Sequence, residues 1–351
     1  MKNSRYARAG VDIDAKAAAL SRAKSAIRST FTPGVLGDIG GFGGLFRPDF
    51  SAFREPVLVA STDGVGTKLR IAFETGRHDL CGADLVNHCV NDILVQGATP
   101  LFFLDYVATG RLDPDVLQKV IEGIARGCRE NGVALLGGET AEMPGFYPLG
   151  EYDVAGTIVG VVEREKILDG SRVRAGDVAL GLPSAGLHTN GYSLAREVLF
   201  GTLEKKASDS LAELEGQTVG DALLAPHLSY RAALEPLLAK DLVHAMAHIT
   251  GGGFYDNIPR VVPARLEVIL KSGSWPVPPV FAVIQRAGEV SFEEMHRVFN
   301  MGIGMVVFVA AEDVSEVARI WSEGRQRWYA IGNVRAGDRG VVVEPPPSAG
   351  N

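Results

Sequence analysis

The sequence predicts a protein of two domains built from mixed strands and helices. Three observations carry this. The chain has 351 residues, a length that ordinarily divides into two cores. Each half runs through the same theme of apolar strand, glycine-rich turn and helix. Asp169-Gly170-Ser171 lies between the halves as a junction, giving expected domains of 1–168 and 169–351. A hydrophobic content of 46% and a charged content of 22% are those of an ordinary globular chain. The net charge of −7 argues against a broad basic surface for nucleic acid and directs attention to small molecules. Cys81, Cys89 and Cys128 form no CxxC pair and leave one thiol over in any bridging scheme, which points to a reducing cytoplasm. The N-terminus shows no apolar signal-peptide core, and no apolar run reaches the length of a membrane span.

The first half centres on Ser61-Thr62-Asp63-Gly64-Val65-Gly66-Thr67-Lys68, which follows the apolar run Pro56 to Ala60, read as a buried strand. Gly64 and Gly66 allow a sharp turn and close approach of a ligand, and Thr67 and Lys68 add a hydroxyl and an ammonium. Asp63 is placed to hold a metal ion brought by a phosphate. The spacing is not that of a P-loop. A plain strand-to-helix turn with an exposed lysine explains the segment equally well.

Upstream, Val11 to Ser29 reads as an amphipathic helix with Ile13, Ala17, Leu20 and Ile27 on its apolar stripe. Lys24 falls on that stripe and either snorkels outward or points inward at an anion. Gly40-Gly41-Phe42-Gly43-Gly44 cannot sustain a helix or strand, so it is a linker or a flap over a ligand. Downstream, Asp79 to Gln96 has helical spacing, with His88 and Asp92 on one face and Asp84, Asn87 and Asn91 on a neighbouring one. His88 beside Cys89 is not a metal signature, because neighbouring helical residues point about 100° apart. A further helix is delimited by Asp113 as N-cap, Pro114 at its first turn and Gly132 at its end. Asp63, Asp105 and Glu139 each sit just past a strand-like run, where ligands of α/β sheets gather. With Asp92 as a fourth acid, they describe a site for magnesium and a nucleotide phosphate tail.

In the second half, the strand Asp177 to Leu182 leads into Pro183 to Ser193, a polar loop containing His188, a candidate general acid or base. Thr250-Gly251-Gly252-Gly253 precedes a helix and reads as a second oxyanion cradle. Two such sites imply a nucleotide and a separate phosphorylated substrate.

Taken together, Tyr6 to Asp14, Gly40 to Phe46, Thr62 to Lys68, Val90-Asn91-Asp92, Leu101 to Tyr106, Gly137 to Gly145, Gly186 to Ser193, His248 to Gly253 and Phe299 to Met305 resemble the phosphoribosylformylglycinamidine cyclo-ligase (aminoimidazole ribonucleotide synthetase) family. The resemblance runs from Tyr6 to about Val334 in the family's order. It implies an α+β fold of two AIR-synthetase-like domains. The N-terminal sheet would pair across a homodimer into a β-barrel, and the C-terminal domain would be an α/β sandwich. It implies ATP-dependent ring closure of formylglycinamidine ribonucleotide to aminoimidazole ribonucleotide, with ADP and phosphate released. On this resemblance Asp63, Asp92 and Glu139 would hold Mg2+. Gly40, Gly41, Gly43, Gly44, Asp63, Gly64, Gly66, Thr67 and Lys68 would enclose ATP. Lys24 would lie near the nucleotide, Asp92 and His188 would serve the chemistry, and Thr250, Gly251, Gly252 and Gly253 would hold the substrate. One departure stands out: Asn87-His88 occupies a place where the family more often carries Ala-Met.

Overall fold

The computed structural model describes residues 5, 10, 11, 13–338 and 340–346. Tyr6 to Ala9 and Asp12 of the N-terminal motif lie outside the described residues, as does the tail beyond Pro346. The chain divides into two compact units, Met1–Leu94 with Ala98–Glu165, and Val95–Gly97 with Lys166–Asn351.

The first unit opens with helix α1 (Ile13–Arg28). Its buried face is Ala19, Ala23 and Ile27, while Ala17 is exposed. The buried stripe is thus rotated from the expected one, because an alanine-rich helix satisfies two registers at once. Four strands follow: β1 (Pro56–Gly64), β2 (Thr99–Thr109), β3 (Ala134–Glu142) and β4 (Tyr152–Glu163). They lie in the order β1-β4-β2-β3, antiparallel except between β2 and β3. Strand β1 is a half-open edge strand rather than the buried strand expected, with Leu58 62% exposed. It also runs four residues further than predicted, through Gly64. Helices α2 (Leu69–Thr75), α3 (His78–Leu94) and α4 (Pro114–Glu130) complete the unit.

Helix α4 begins as its sequence requires. The Asp113 carboxylate accepts from the amides of Asp115 (2.9 Å) and Val116 (3.3 Å), and Pro114 takes the first position, where no amide is needed. Its buried side includes Val120, Ile124 and Cys128. Glycines let α3 and α4 approach closely. A methyl group at Gly82 would lie 2.3 Å from the Val120 carbonyl oxygen, and one at Gly123 would lie 2.0 Å from that of Asp79. This contact fixes the position of α3, and with it every polar side chain that α3 aims at β1.

The second unit holds a six-stranded sheet in the order β10-β7-β9-β5-β8-β6. Its strands are β5 (Val178–Pro183), β6 (Ala245–His248), β7 (Leu266–Lys271), β8 (Ile303–Val309), β9 (Tyr329–Ala336) and β10 (Gly340–Glu344). Among the described pairings of this sheet only β10–β7 is parallel. Every residue of β8 is buried. Around the sheet lie α5 (Tyr192–Arg196), α6 (Val219–Leu223), α7 (Arg231–Ala239), α8 (Gly253–Asn257), α9 (Pro279–Ala287), α10 (Phe292–Val298) and α11 (Val314–Glu323).

Candidate functional site

Strand β1 and helix α3 bring four polar side chains of the first unit to one place. Ser61 and Asp63 alternate onto the face of β1 that α3 covers, because successive strand residues point to opposite sides. His88 and Asp92 are one helical turn apart on α3. His88 Nε2 lies 3.1 Å from Asp63 Oδ2 and 3.9 Å from Asp92 Oδ2. Ser61 Oγ donates to Asp92 Oδ2 at 3.0 Å, and Asp63 Oδ1 accepts from the Gly64 amide at 2.6 Å. The imidazole is 5% exposed, whereas Asp63 and Asp92 are 44% and 24% exposed. Burial works against a charged His88. The hydrogen bond to Asp63 and the Asp92 and Asp63 charges outweigh it, so its pKa is raised. Both carboxylates are reached by solvent and offer the oxygen donors that a divalent cation takes. Asn87, the other half of the sequence departure, turns elsewhere and accepts from Asn131 Nδ2 at 2.8 Å.

Glu139 does not join this group within the chain. Strand β3 is at the opposite edge of the sheet from β1, three strand spacings or roughly 14 Å away. Glu139 pairs with Tyr106, whereas the row containing Asp63 continues through Gly156 and Asp105 to Gly138. Glu139 and Asp63 therefore face opposite sides of the sheet. The Glu139 carboxylate instead meets Lys16 Nζ at 2.7 Å, and this hydrogen bond lowers its pKa. One magnesium cannot take Asp63, Asp92 and Glu139 of the same chain. The acids expected just past their strands all lie within them, because the strands run longer than their apolar runs.

Lys68 also differs from expectation. Its ammonium is 2.7 Å from Asp84 Oδ2, with both side chains sealed at 0% and 1% exposure. A lysine so placed cannot reach a triphosphate. The single 3-10 turn Gly66–Lys68 that follows β1 rotates it inward, while Gly66 and Thr67 stay exposed. Lys24 is partly exposed and lies 3.6 Å from Asp38 Oδ2, an acid that also pairs with Arg28.

The glycine run forms the tip of an excursion closed by a bridge between Val35 and Phe46. Phe46 packs on Phe102 of β2, with ring centroids 5.2 Å apart. Gly44 lies so close to β3 that a methyl there would be 2.4 Å from Leu136 Cγ, whereas Gly40 and Gly43 have open space around them. The tip residue Phe42 is fully exposed.

In the second unit His188 is not a solvated loop residue. It is fully buried, with φ at 60°, and stacks on His227 at 4.2 Å between ring centroids. His227 in turn places Nε2 3.1 Å from His248 Nε2 and Nδ1 3.2 Å from Thr189 Oγ1. One N–H must donate across the first of these contacts, so the tautomers of His227 and His248 are linked. No local motif marks His227, which adjoins the cluster only through the fold. A methyl on Gly304 of β8 would lie 2.0 Å from Tyr230 Oη and 2.7 Å from His188 Cε1, so that glycine makes room for the cluster. Thr250 to Gly253 turn into α8, where Asn257 Nδ2 donates to the carbonyls of Gly251 (3.2 Å) and Gly253 (2.8 Å). Only five residues of helix follow, and they offer little dipole for an oxyanion.

The N-terminal domain model of the AIR synthase related proteins matches residues 51–162, and the C-terminal domain model matches 174–344. A phosphoribosylformylglycinamidine cyclo-ligase of Bifidobacterium animalis subsp. lactis (strain AD011) is 50% identical over 329 residues, which are 94% of this chain and 96% of that protein. Another, of Burkholderia vietnamiensis (strain G4 / LMG 22486), is 53% identical over 336 residues, 95% of this chain and 94% of that protein. Among solved structures, a thiamine-monophosphate kinase from Stenotrophomonas maltophilia K279a superposes with a TM-score of 0.69 at 19% identity, covering 93% of this chain and 96% of that one. At that identity the likeness is one of fold. By both domain matches and by identity along nearly its whole length, the chain belongs to the AIR synthase related proteins, in the phosphoribosylformylglycinamidine cyclo-ligase family.

Proposed function

We infer that the chain catalyses the ATP-dependent closure of formylglycinamidine ribonucleotide to aminoimidazole ribonucleotide, releasing ADP and phosphate, in purine biosynthesis. Full-length identity to cyclo-ligases carries this reading. The formyl oxygen, a poor leaving group, takes the γ-phosphoryl group. The ribose-bearing nitrogen then adds to the formyl carbon and gives up a proton, and phosphate departs with the oxygen. Such a sequence chiefly needs positioning and charge neutralisation.

Asp63 and Asp92 would hold Mg2+, which neutralises phosphate charge when bound. The exposed Gly66 and Thr67, following Gly64, offer amides and a hydroxyl to the phosphates. The Gly40–Gly44 flap and Lys24 border the nucleotide. In the second unit Thr250 to Gly253 border the substrate, and His188, stacked on His227, is the group assigned to the ring-closing proton. A homodimer is supported by the face of the first sheet turned away from α3. There Leu58 and Ala60 of β1 are exposed, and Ala60 lies in register with the partly exposed Val159 of β4, an apolar edge suited to a second copy. The expected setting is the cytoplasm.

The test follows ADP release and aminoimidazole ribonucleotide together, with formylglycinamidine ribonucleotide supplied or withheld. Substrate-dependent ADP matched one for one by product supports ring closure. ADP without product would move the assignment to a kinase or synthetase of the same fold.

A further inference from the structure

His227 lies at the centre of the histidine cluster, on the segment between α6 and α7. That segment docks against the loop carrying His188. The two imidazoles stack 23° from parallel, the Leu228 amide lies 3.5 Å from His188 Nε2, and the Tyr230 hydroxyl donates to the Pro183 carbonyl at 3.0 Å. The His227 ring is completely shielded from solvent. A ring so placed does not touch a substrate, so whatever it contributes to the reaction passes through its neighbours.

Both of its nitrogens reach one. Nδ1 is 3.2 Å from Thr189 Oγ1 and Nε2 is 3.1 Å from His248 Nε2, with the His248 ring turned 64° from its own. A neutral imidazole has one donor and one acceptor, and a hydroxyl can serve as either. If Thr189 donates to Nδ1, His227 donates through Nε2 to His248. If Nδ1 donates to Thr189, His248 Nε2 donates to His227. In both arrangements His248 Nε2 is bonded to His227. The donor atoms of His188, His227 and His248 lie within 4.8 Å of one another, a distance a metal site also requires. Rings as close to parallel as those of His188 and His227 direct their lone pairs in nearly parallel planes, which do not converge on one ion. Hydrogen bonding therefore accounts for the cluster.

His248 ends β6, and the turn from Thr250 to Gly253 begins two residues later. We propose that His227 is a positioning residue for ring closure, acting through its Nε2 bond to His248, which holds that imidazole beside the substrate-side turn. The stack on His188 is replaceable by any flat ring, whereas a buried nitrogen that loses its partner is not easily satisfied again. The inference rests on the assignment of ring closure and of the Thr250–Gly253 turn to the substrate.

The experiment uses the full chain. Wild-type protein labelled with 15N-histidine should show scalar coupling across the bond between the two Nε2 atoms. His227→Phe keeps the stack and loses the bond, His227→Asn reaches only toward Thr189, and His227→Gln restores a partner for His248. In the cyclisation assay, Phe and Asn variants should lose about tenfold to about a hundredfold in kcat, the range a misplaced group costs, with little change in KM. The Gln variant should recover most of it. A merely structural role would not be rescued by Gln at equal melting temperature. Circular dichroism melts identify the folded variants, and either Phe or Asn suffices. Absence of the coupling, full kcat in a folded Phe or Asn variant, or a Gln variant as slow as they are would each overturn the proposal. The functional reading fails separately: a wild type that shows the coupling but forms no product would sink ring closure itself, and the role of His227 in it.

Discussion

The Lys68 ammonium and the Asp84 carboxylate meet at 2.7 Å inside the first unit, shielded from water on all sides. Such a pair is costly to break from one side, because the surviving charge is left buried without compensation. Lys68→Met should lower stability by about 3–5 kcal/mol, a large share of a typical domain's total. Adding Asp84→Leu removes the stranded charge and should restore most of that loss. Urea unfolding of the two single variants and the double variant measures this. A Lys68→Met protein as stable as the wild type would mean that the pair contributes nothing. Because Lys68 begins the descent from β1 while Asp84 lies one turn before His88, the pair also sets how α3 faces Asp63.

Gly304 faces the histidine cluster from β8, with no space for even a methyl group. Gly304→Ala must displace the Tyr230 hydroxyl, which donates to the Pro183 carbonyl at 3.0 Å, or push the His188 ring off His227. Overpacking of this kind costs about 1–3 kcal/mol. If His188 handles the ring-closing proton as proposed, turnover should fall more than stability predicts. Thermal melts beside kcat measurements separate the two effects. An alanine variant with unchanged turnover would remove His188 from the chemistry.

Periodicity and caps make the start of α4 legible to the residue, since Asp113 and Pro114 act locally. Length and glycine clusters point to two units with a turn after β1. What depends on cross-chain pairing is not legible in the same way. Strand β7 pairs with β9 and β10, which lie some sixty residues or more along the chain, and its run Leu266 to Lys271 carries no local sign of those partners. Lys68 resembles a phosphate ligand because its neighbours are glycines; only the 3-10 turn decides that it points inward. Glu139 groups with Asp63 in sequence because both end apolar runs, and only the strand order separates them. His88 gives no metal signature when read against its neighbour Cys89. Its spacing from Asp92, set beside the acid at the end of β1, is the only sign in the sequence that it faces both carboxylates.

Asp105 lies on β2 between the Gly156 and Gly138 positions of its neighbours, on the same face as Asp63. Burial pushes its carboxyl up to about 7, and the Glu139 charge adds to the rise. A carboxylic acid whose folded pKa lies above its unfolded value is bound to its proton more tightly when folded. Stability from this group is therefore whole below about pH 4 and is lost as the pH climbs toward about 7. Asp105→Asn removes the titration. Relative to wild type, the variant should gain stability between about pH 4.5 and about pH 7.5. The gain approaches about 1.4 kcal/mol for each pH unit over which the folded acid keeps a proton that the unfolded one has lost. Urea unfolding at the two pH values gives the comparison. A stability difference that does not change with pH would show that Asp105 is ionised throughout.

Phe42 offers the sharpest choice between a linker and a flap. It sits at the open tip of the glycine run, while the base of that excursion is pinned through Phe46 to Phe102 and through Gly44 to Leu136. An aromatic ring so fully exposed contributes little to the fold in this conformation. Phe42→Ala should therefore change stability by no more than about 0.5 kcal/mol, as exposed substitutions generally do. If the tip closes over ATP, losing the ring should raise KM for ATP several-fold, and ATP should protect the wild-type segment, but not the variant, from proteolysis. Gly44→Ala is the converse arm: its methyl would meet Leu136, so it should destabilise the base and loosen the segment with or without nucleotide. A Phe42→Ala enzyme with unaltered KM and unaltered protection would make the run a linker. The glycines would then serve only the close passage of the chain across β3.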